Sequence, residues 1–457
     1  MLKKSLIALL SILIPVIVVY FLLGSKYNYD VIRDYRYDFQ NSGAETTAVK
    51  VQQGIFEIKS IKNWDTGFIK LKIAATPTGY FAEPYVEIIS GRHRSVLSFE
   101  RGVRGERYIN LSPKKKPERQ TFQLIPHHLS IKNQQASVIL FNNPGMRNHP
   151  RVLVIAPHPD DAEIAAFGLY SSFDSLILTI TAGEAGDYTY DEIFSNVNRH
   201  FKIKGRLRVW NSITVPMLGG VKPEHAINLG YFDTTLEQMS ESRDKSVHSL
   251  YTGIKNVNYF RRQNISSLTP VTRGKADWQS LTADLKQIIL TFKPDIIVTP
   301  YPALDSHPDH KASTAAVIEV IKTLNMRGGR LFLYANHLSA NNYFPYGERG
   351  ELAPPPPDLN KSIYFDSIYS FTLPHPKRKI LALEAMNDLR PDTSWLNISG
   401  AFKIFTDTLT NKLLLRDTTY FRRAVRANEL FLVVNFSSLY NTKTLNALNS
   451  ATPVKKR

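Results

Sequence analysis

Cysteine is absent from the 457 residues, which excludes disulfides, thiolate metal sites and a cysteine nucleophile together. Any metal must therefore be held by histidine, aspartate or glutamate. Acidic residues are in deficit, with Asp and Glu at 40 against 57 Lys and Arg, a formal charge of +17. That balance suits polyanionic partners: acidic glycans, anionic lipid surfaces or nucleic acid. No zinc-finger spacing, helix-turn-helix cue or aromatic RNA-binding motif accompanies it, so no nucleic-acid partner is expected. Basic runs such as Lys114, Lys115 and Lys116 read as solvated surface. No internal repeat is visible. With 43% hydrophobic and 21% charged residues the chain reads as globular. Its length suits two folded units of roughly 100–200 residues each.

Only one long apolar run occurs. From Ser5 to Gly24 no residue is charged, about the 20 residues that cross a bilayer core. A cleaved signal peptide would carry a shorter apolar region of about 7–15 residues and end in a small-x-small site, which Leu22-Leu23-Gly24-Ser25 does not supply. Residues 1–25 are therefore read as an uncleaved transmembrane signal anchor. Lys3 and Lys4 before the run would hold the N-terminus in the cytoplasm. The expectation is a single-pass protein of a bacterial inner membrane with its body periplasmic or otherwise extracytoplasmic.

Past the anchor, short alternating runs such as Phe68–Ile73 and Tyr85–Ile89, separated by turn residues, suggest an antiparallel β-sandwich-like domain over residues 26–145. It reads as a spacer or a glycan-binding module. The turn-rich Asn142-Asn143-Pro144-Gly145 marks a boundary. Beyond it, Arg151–Ala156, Ser175–Thr181 and Asp295–Pro300 are continuous apolar runs of the kind buried on both faces. Helical patterns at Trp278–Phe292 and Ala312–Leu324 alternate with them. This predicts an α/β domain on a mostly parallel sheet over 146–350, with its ligands beyond the carboxyl ends of the strands. Residues 351–457 continue it, with a stiff loop at Pro354–Pro357, a helix near Lys377–Leu389 and a strand at Leu430–Val434.

The chemistry-bearing residues fall where such a sheet puts its site. His158-Pro159-Asp160-Asp161 follows the first of these strands, and His307-Pro308-Asp309-His310 follows the strand ending at Pro300. Each leads into a helix. His158 and Asp161, three apart at a helix start, can converge on one point. With His310 they form a two-histidine, one-carboxylate set that suits one zinc ion with a position open to water. The same trio would suit Fe(II) in an oxygenase, but those enzymes generally use all-β barrels. Asp160 is left to act as general base. His307 is left to stabilise an oxyanion and to protonate a leaving amine.

These residues resemble the PIG-L/LmbE family of zinc-dependent N-acetylglucosamine deacetylases, whose hallmarks are a His-Pro-Asp-Asp segment after the first strand and a later His-x-Asp-His segment. The resemblance covers roughly Arg151 to Tyr334. It implies a Rossmann-like fold, His158, Asp161 and His310 as metal ligands, Asp160 as base and His307 at the carbonyl oxygen. Thr181–Gly186 resembles the family's Gly-Glu-x-Gly loop, and Leu229–Asp233 the segment that brings an aspartate toward the sugar. Glu184, Asp233 and Asp309 are accordingly supporting or substrate-binding candidates. Ala162 stands where many members have glutamate directly after the second aspartate. The implied reaction is removal of an N-acetyl group from an amino sugar in an extracytoplasmic glycan or lipid-linked saccharide. A metal phosphoesterase, or a glycan-binding protein with an inactive hydrolase domain, remain as alternatives.

Overall fold

A computed structural model describes residues 11, 27, 29–59, 64–112, 120–188, 190, 193–271, 273–339, 341, 343–389 and 417–449. The first nine strands are β1 (Glu45–Lys50), β2 (Ile55–Ile58), β3 (Thr66–Ala75), β4 (Tyr85–Ser90), β5 (His93–Ser98), β6 (Arg104–Asn110), β7 (Gln120–His127), β8 (Leu129–Ile131) and β9 (Gln135–Phe141). They make two antiparallel sheets, one ordered β1-β9-β3-β6 with β8 beside β3, the other β2-β7-β4-β5. Strand side chains alternate between faces, and the consequence is plain in β3: Ile69, Leu71 and Ile73 join Val86, Leu97, Phe122 and Leu124 of the other sheet in one core. Phe68 points the opposite way, with Tyr108, Ile139 and Phe141, into the core of the following layer. Around Phe68 the first sheet is thus buried on both faces.

That following layer is a seven-stranded sheet of β10 (Val152–Ala156), β11 (Ser175–Thr181), β12 (Ala226–Tyr231), β13 (Ile296–Pro300), β14 (Arg330–Tyr334), β15 (Ser367–Thr372) and β16 (Asn428–Asn435), in the order β12-β11-β10-β13-β14-β16-β15. Parallel pairing is confined to β10 through β14. The helices Asp161–Tyr170, Val197–Thr214, Trp278–Phe292 and Pro308–Thr323 connect these strands. The helix Trp278–Phe292 starts at Asp277, whose side chain accepts from Ser280 N, and stops at Lys293 in a left-handed conformation. It buries Leu281, Leu285, Ile288 and Ile289, a 3–4 spaced stripe.

Two expectations are corrected. The class of the chain is not a Rossmann-like, mostly parallel sheet. Its strands fall into three sheets whose pairings are mostly antiparallel. The strands before residue 142 pair antiparallel throughout, mostly with partners distant in the chain, and β16 runs antiparallel to both β14 and β15. The transmembrane anchor, with the membrane partner and the inner-membrane location drawn from it, is not supported either. Among the described residues no helix is long and apolar enough to cross a membrane, and the expected span at residues 1–25, Ser11 apart, lies outside the described residues.

The proline run is not a surface loop. Pro354, Pro355 and Pro356 are buried, Leu352 N donates to Val96 O, and Tyr37 donates its hydroxyl to Pro356 O. The segment before β1 is pinned just as firmly. Arg107 and Glu100 form a fully buried ion pair at 3.2 Å, Arg107 also donates to the carbonyls of Val31 and Arg33, and Tyr29 donates to Glu100. Satisfying every donor is what makes a buried pair tolerable.

Candidate metal centre

β10 and β13 are adjacent and parallel, so the loops leaving their carboxyl ends emerge at one edge of the sheet. All five residues of β10 and all five of β13 are buried. The first loop delivers His158 and then Asp161 at the start of the helix Asp161–Tyr170. The second delivers His307, which caps the helix Pro308–Thr323 by accepting from Asp309 N at 3.2 Å, and places His310 one turn inside.

Three donor atoms from these loops converge. His158 Nδ1 lies 3.2 Å from His310 Nε2 and 3.3 Å from Asp161 Oδ2, and His310 Nε2 lies 3.1 Å from Asp161 Oδ2. Ligands at about 2.0–2.1 Å from a tetrahedral ion stand roughly 3.3 Å apart, so the spacing fits a zinc-sized ion. The other atoms of these side chains are tied down. His310 Nδ1 faces Asp305 Oδ2 at 2.9 Å, His158 Nε2 faces Asp233 Oδ1 at 3.1 Å, and Asp161 Oδ1 accepts from Asn336 Nδ2 at 2.7 Å. Such outer partners fix ring orientation and ligand basicity. Burial works against charge on His310, yet Asp161 and Asp305 raise it to about 10. Burial likewise works to raise Asp161, and the His310 and His158 rings instead hold its carboxyl well below the usual range. The pocket is electrostatically built to pair carboxylates with a cation. Replacing Asp305 by asparagine keeps its shape but weakens that pairing, and should lower metal affinity by about 10–100-fold as read by competition with a chelator. An unchanged affinity would remove Asp305 from the supporting set.

Asp160 does not join the cluster. It sits at φ 151°, a region that a non-glycine residue rarely adopts, and its Oδ2 accepts from Arg208 Nη2 at 3.0 Å. Burial pushes its carboxyl up to about 7, against the pull of Arg208. Arg208 reaches it by passing Gly183, where an added Cβ would lie 2.6 Å from Arg208 Nη1 and 2.7 Å from Pro159 Cδ. Only glycine fits there.

His307 stands at the mouth, half-buried, with its ring 4.5 Å from that of His158 and 5.0 Å from that of His310. Burial, and then those two rings, lower its pKa, so it faces the site as neutral imidazole. Asp309 and Glu184 each hold neighbouring segments of the chain. Asp309 accepts from Thr234 N at 2.7 Å and Leu236 N at 3.0 Å, which fastens the loop after β12, and its Oδ2 also stands 3.4 Å from His158 Nε2. Glu184, pushed up to about 8 by burial, accepts from Ser249 Oγ at 2.6 Å and from Asp233 N at 3.2 Å. Asp233 in turn holds His158.

Sequence reading missed Asp305, Arg208, Asn336, His337 and Tyr420. His337 lies 5.0 Å, ring to ring, from His310, and Tyr420 Oη is 3.3 Å from His337 Nδ1. Burial, then the charge of His310, brings His337 down to about 4. Among the described residues other side chains around this centre also have atoms placed to share an ion: His158, His307 and His310; Asp161, His310 and His337; and His158, Asp233 and Asp309. Asn336 and His337 follow β14 at the same sheet edge as the two motifs, and that strand-end position was their one signal. Tyr420 had none.

Comparison with known proteins agrees with the site in outline. Residues 153–321 match the family described as PIG-L: GlcNAc-PI de-N-acetylase, so the chain carries a PIG-L family domain over that range. The family is one of metal-dependent, deacetylase-type hydrolases. No curated protein matches the chain. Among solved structures, GalB, the 4-carboxy-2-hydroxymuconate hydratase from Pseudomonas putida KT2440, is 10% identical, with 62% of this chain and 95% of that one covered at a TM-score of 0.32. A family two carbohydrate esterase from Cellvibrio japonicus is 9% identical, with 78% and 100% covered at a TM-score of 0.16. Neither likeness carries an argument.

Proposed function

We propose that this protein removes the N-acetyl group of an amino sugar in a glycan or lipid-linked saccharide, with one zinc ion held by His158, Asp161 and His310. The observation that carries this reading is the convergence of those three donor atoms within 3.1–3.3 Å of one another, inside a segment matching a de-N-acetylase family. Residues 146–350 would hold the chemistry, residues 351–457 would complete its walls, and residues 26–145 would be the accessory unit.

Zinc at that point supplies Lewis acidity toward water and the amide carbonyl. The remaining work belongs to the chain. Asp160, beside the cluster and oriented by Arg208, takes the proton of the attacking water. Its raised carboxyl lets it hold that proton near neutral pH and pass it on. His307, neutral and half-buried, faces the cluster from the side of the open mouth. It is positioned to donate to the carbonyl oxygen as charge develops there, and to support protonation of the leaving amine. Glu184, Asp233 and Asp309 hold His158 and its loop rather than meeting the sugar directly.

The test is acetate release from a panel of N-acetylated saccharides, run beside metal analysis. Acetate should appear from at least one of them, cease on chelation, return with zinc, and accompany one metal per chain. Two metals per chain with release of phosphate from phosphoesters would replace this reading by the phosphoesterase one. Silence across the panel from fully metallated protein would favour a binding protein.

A further inference from the structure

Next to the metal centre lies a cavity of about 120 Å³ that none of the roles above uses. It shares Asn336 and Tyr420 with the centre: Asn336 is the donor to Asp161, and Tyr420 meets His337. The cavity wall is apolar at Ile164, Leu304, Leu338 and Phe344, and it also carries Arg423, Arg426, Asn428 and Glu429.

The charge of this wall is unusual. Lys379 also lines the cavity, but Glu429 neutralises it at 2.9 Å. The arginines make no such ion pair among the described residues; Glu351 and Glu83 act on Arg426 only after burial and the charge of Arg422. Arg426, only 2% exposed, donates to the carbonyls of Arg423 at 3.4 Å, Glu348 at 2.9 Å, Pro345 at 2.6 Å and Gly347 at 3.2 Å. Arg423 donates to the carbonyls of Phe344 and Asn336, both at 3.0 Å, and lies over the Tyr420 ring. Arg422 donates to the carbonyls of Tyr343, Pro345 and Gly347. Among the described residues no carboxylate forms an ion pair with any of the three. Carbonyl dipoles orient guanidinium groups but do not cancel their charge, and buried charge is normally paired. The strain shows in Arg426, which burial and the adjacent Arg422 charge bring down to about 9.

We propose that this cavity is an anion-binding compartment that takes a carboxylate or phosphate group of a small organic molecule, gripped by Arg423, with the carbonyl-bound Arg426 adding its charge and the apolar remainder of the molecule against Leu304, Leu338 and Phe344. Planar guanidinium groups bind both kinds of oxyanion by paired hydrogen bonds, and the apolar wall would exclude water that competes for them. The inference stands on the cavity and its charge, so it does not depend on the deacetylase reading. Because the compartment shares Asn336 and Tyr420 with the metal centre, an occupant would lie beside the site of chemistry.

The experiment is calorimetric titration of the full, metal-loaded chain with glucuronate, glucose 6-phosphate and, as neutral control, glucose. At least one acid should bind tenfold or more tightly than glucose, glucuronate assigning the carboxylate and glucose 6-phosphate the phosphate. Arg423→Gln should weaken that binding at least tenfold, and Arg426→Met should do the same where circular dichroism shows it folded. Binding should survive chelation of the metal. Equal weakness of both acids and glucose would overturn the proposal, as would tight binding unchanged by Arg423→Gln, or binding that disappears with the metal.

Discussion

In the His310→Ala protein, bound metal should fall below detection under conditions that fully load the wild type, and acetate release should fall with it. The ring supplies one of three donors, and losing a ligand costs more than the 10–100-fold typical of an outer partner. The variant should also be less stable. His310 is fully buried between Asp161 and Asp305, so its removal leaves two buried carboxylates without their cation, a defect of about 3–5 kcal/mol. Because lost metal could follow from lost fold, His310→Gln, which refills most of the volume, should be measured beside it by circular dichroism and metal analysis. A folded His310→Gln or His310→Ala protein with full metal content would move the third ligand elsewhere, with His337, 5.0 Å away ring to ring, as the first place to look.

The Asp160→Asn protein should behave in the opposite way. Its metal content should match wild type, because Asp160 Oδ2 is engaged with Arg208 and not with the cluster. Asparagine can still accept from Arg208, so the loop should keep its shape. What it cannot do is take a proton, and general-base catalysis is worth about 10²–10⁴-fold. Turnover should drop by that order with KM little changed. Activity within a few-fold of wild type, or loss of the metal, would remove Asp160 from the role of base.

The two variants also mark how far the sequence could be read. Elements announced by uninterrupted or strongly periodic patterns were legible: the runs at Arg151–Ala156 and Asp295–Pro300 became β10 and β13, and the stripe at Trp278–Phe292 became a helix with those bounds. How strands pair was not. Nothing in Leu430–Val434 says that it enters between β14 and β15 running antiparallel to both, because pairing is decided by partners distant in the chain. The motif residues could be found because they follow strand ends at fixed offsets. Their supports could not, since Asn336 and Tyr420 reach the centre across 175 and 83 positions of chain. Glu184 and Asp309 were legible as supporting or substrate-binding residues without the choice between the two, because a carboxylate that accepts backbone N–H groups looks the same in sequence as one that meets a substrate.

The first sheet, buried on both faces around Phe68, has a consequence for how this protein can be divided. Phe141 and Phe39 lie against Phe365 of the later layer at 6.3 and 5.7 Å, and Pro356 receives the hydroxyl of Tyr37. A chain begun at residue 146 would present Phe365 and the proline run to water as a sticky face. The β-rich front is therefore not a cassette that can be clipped off or traded for another: it is also one wall of the house in which the chemistry is kept.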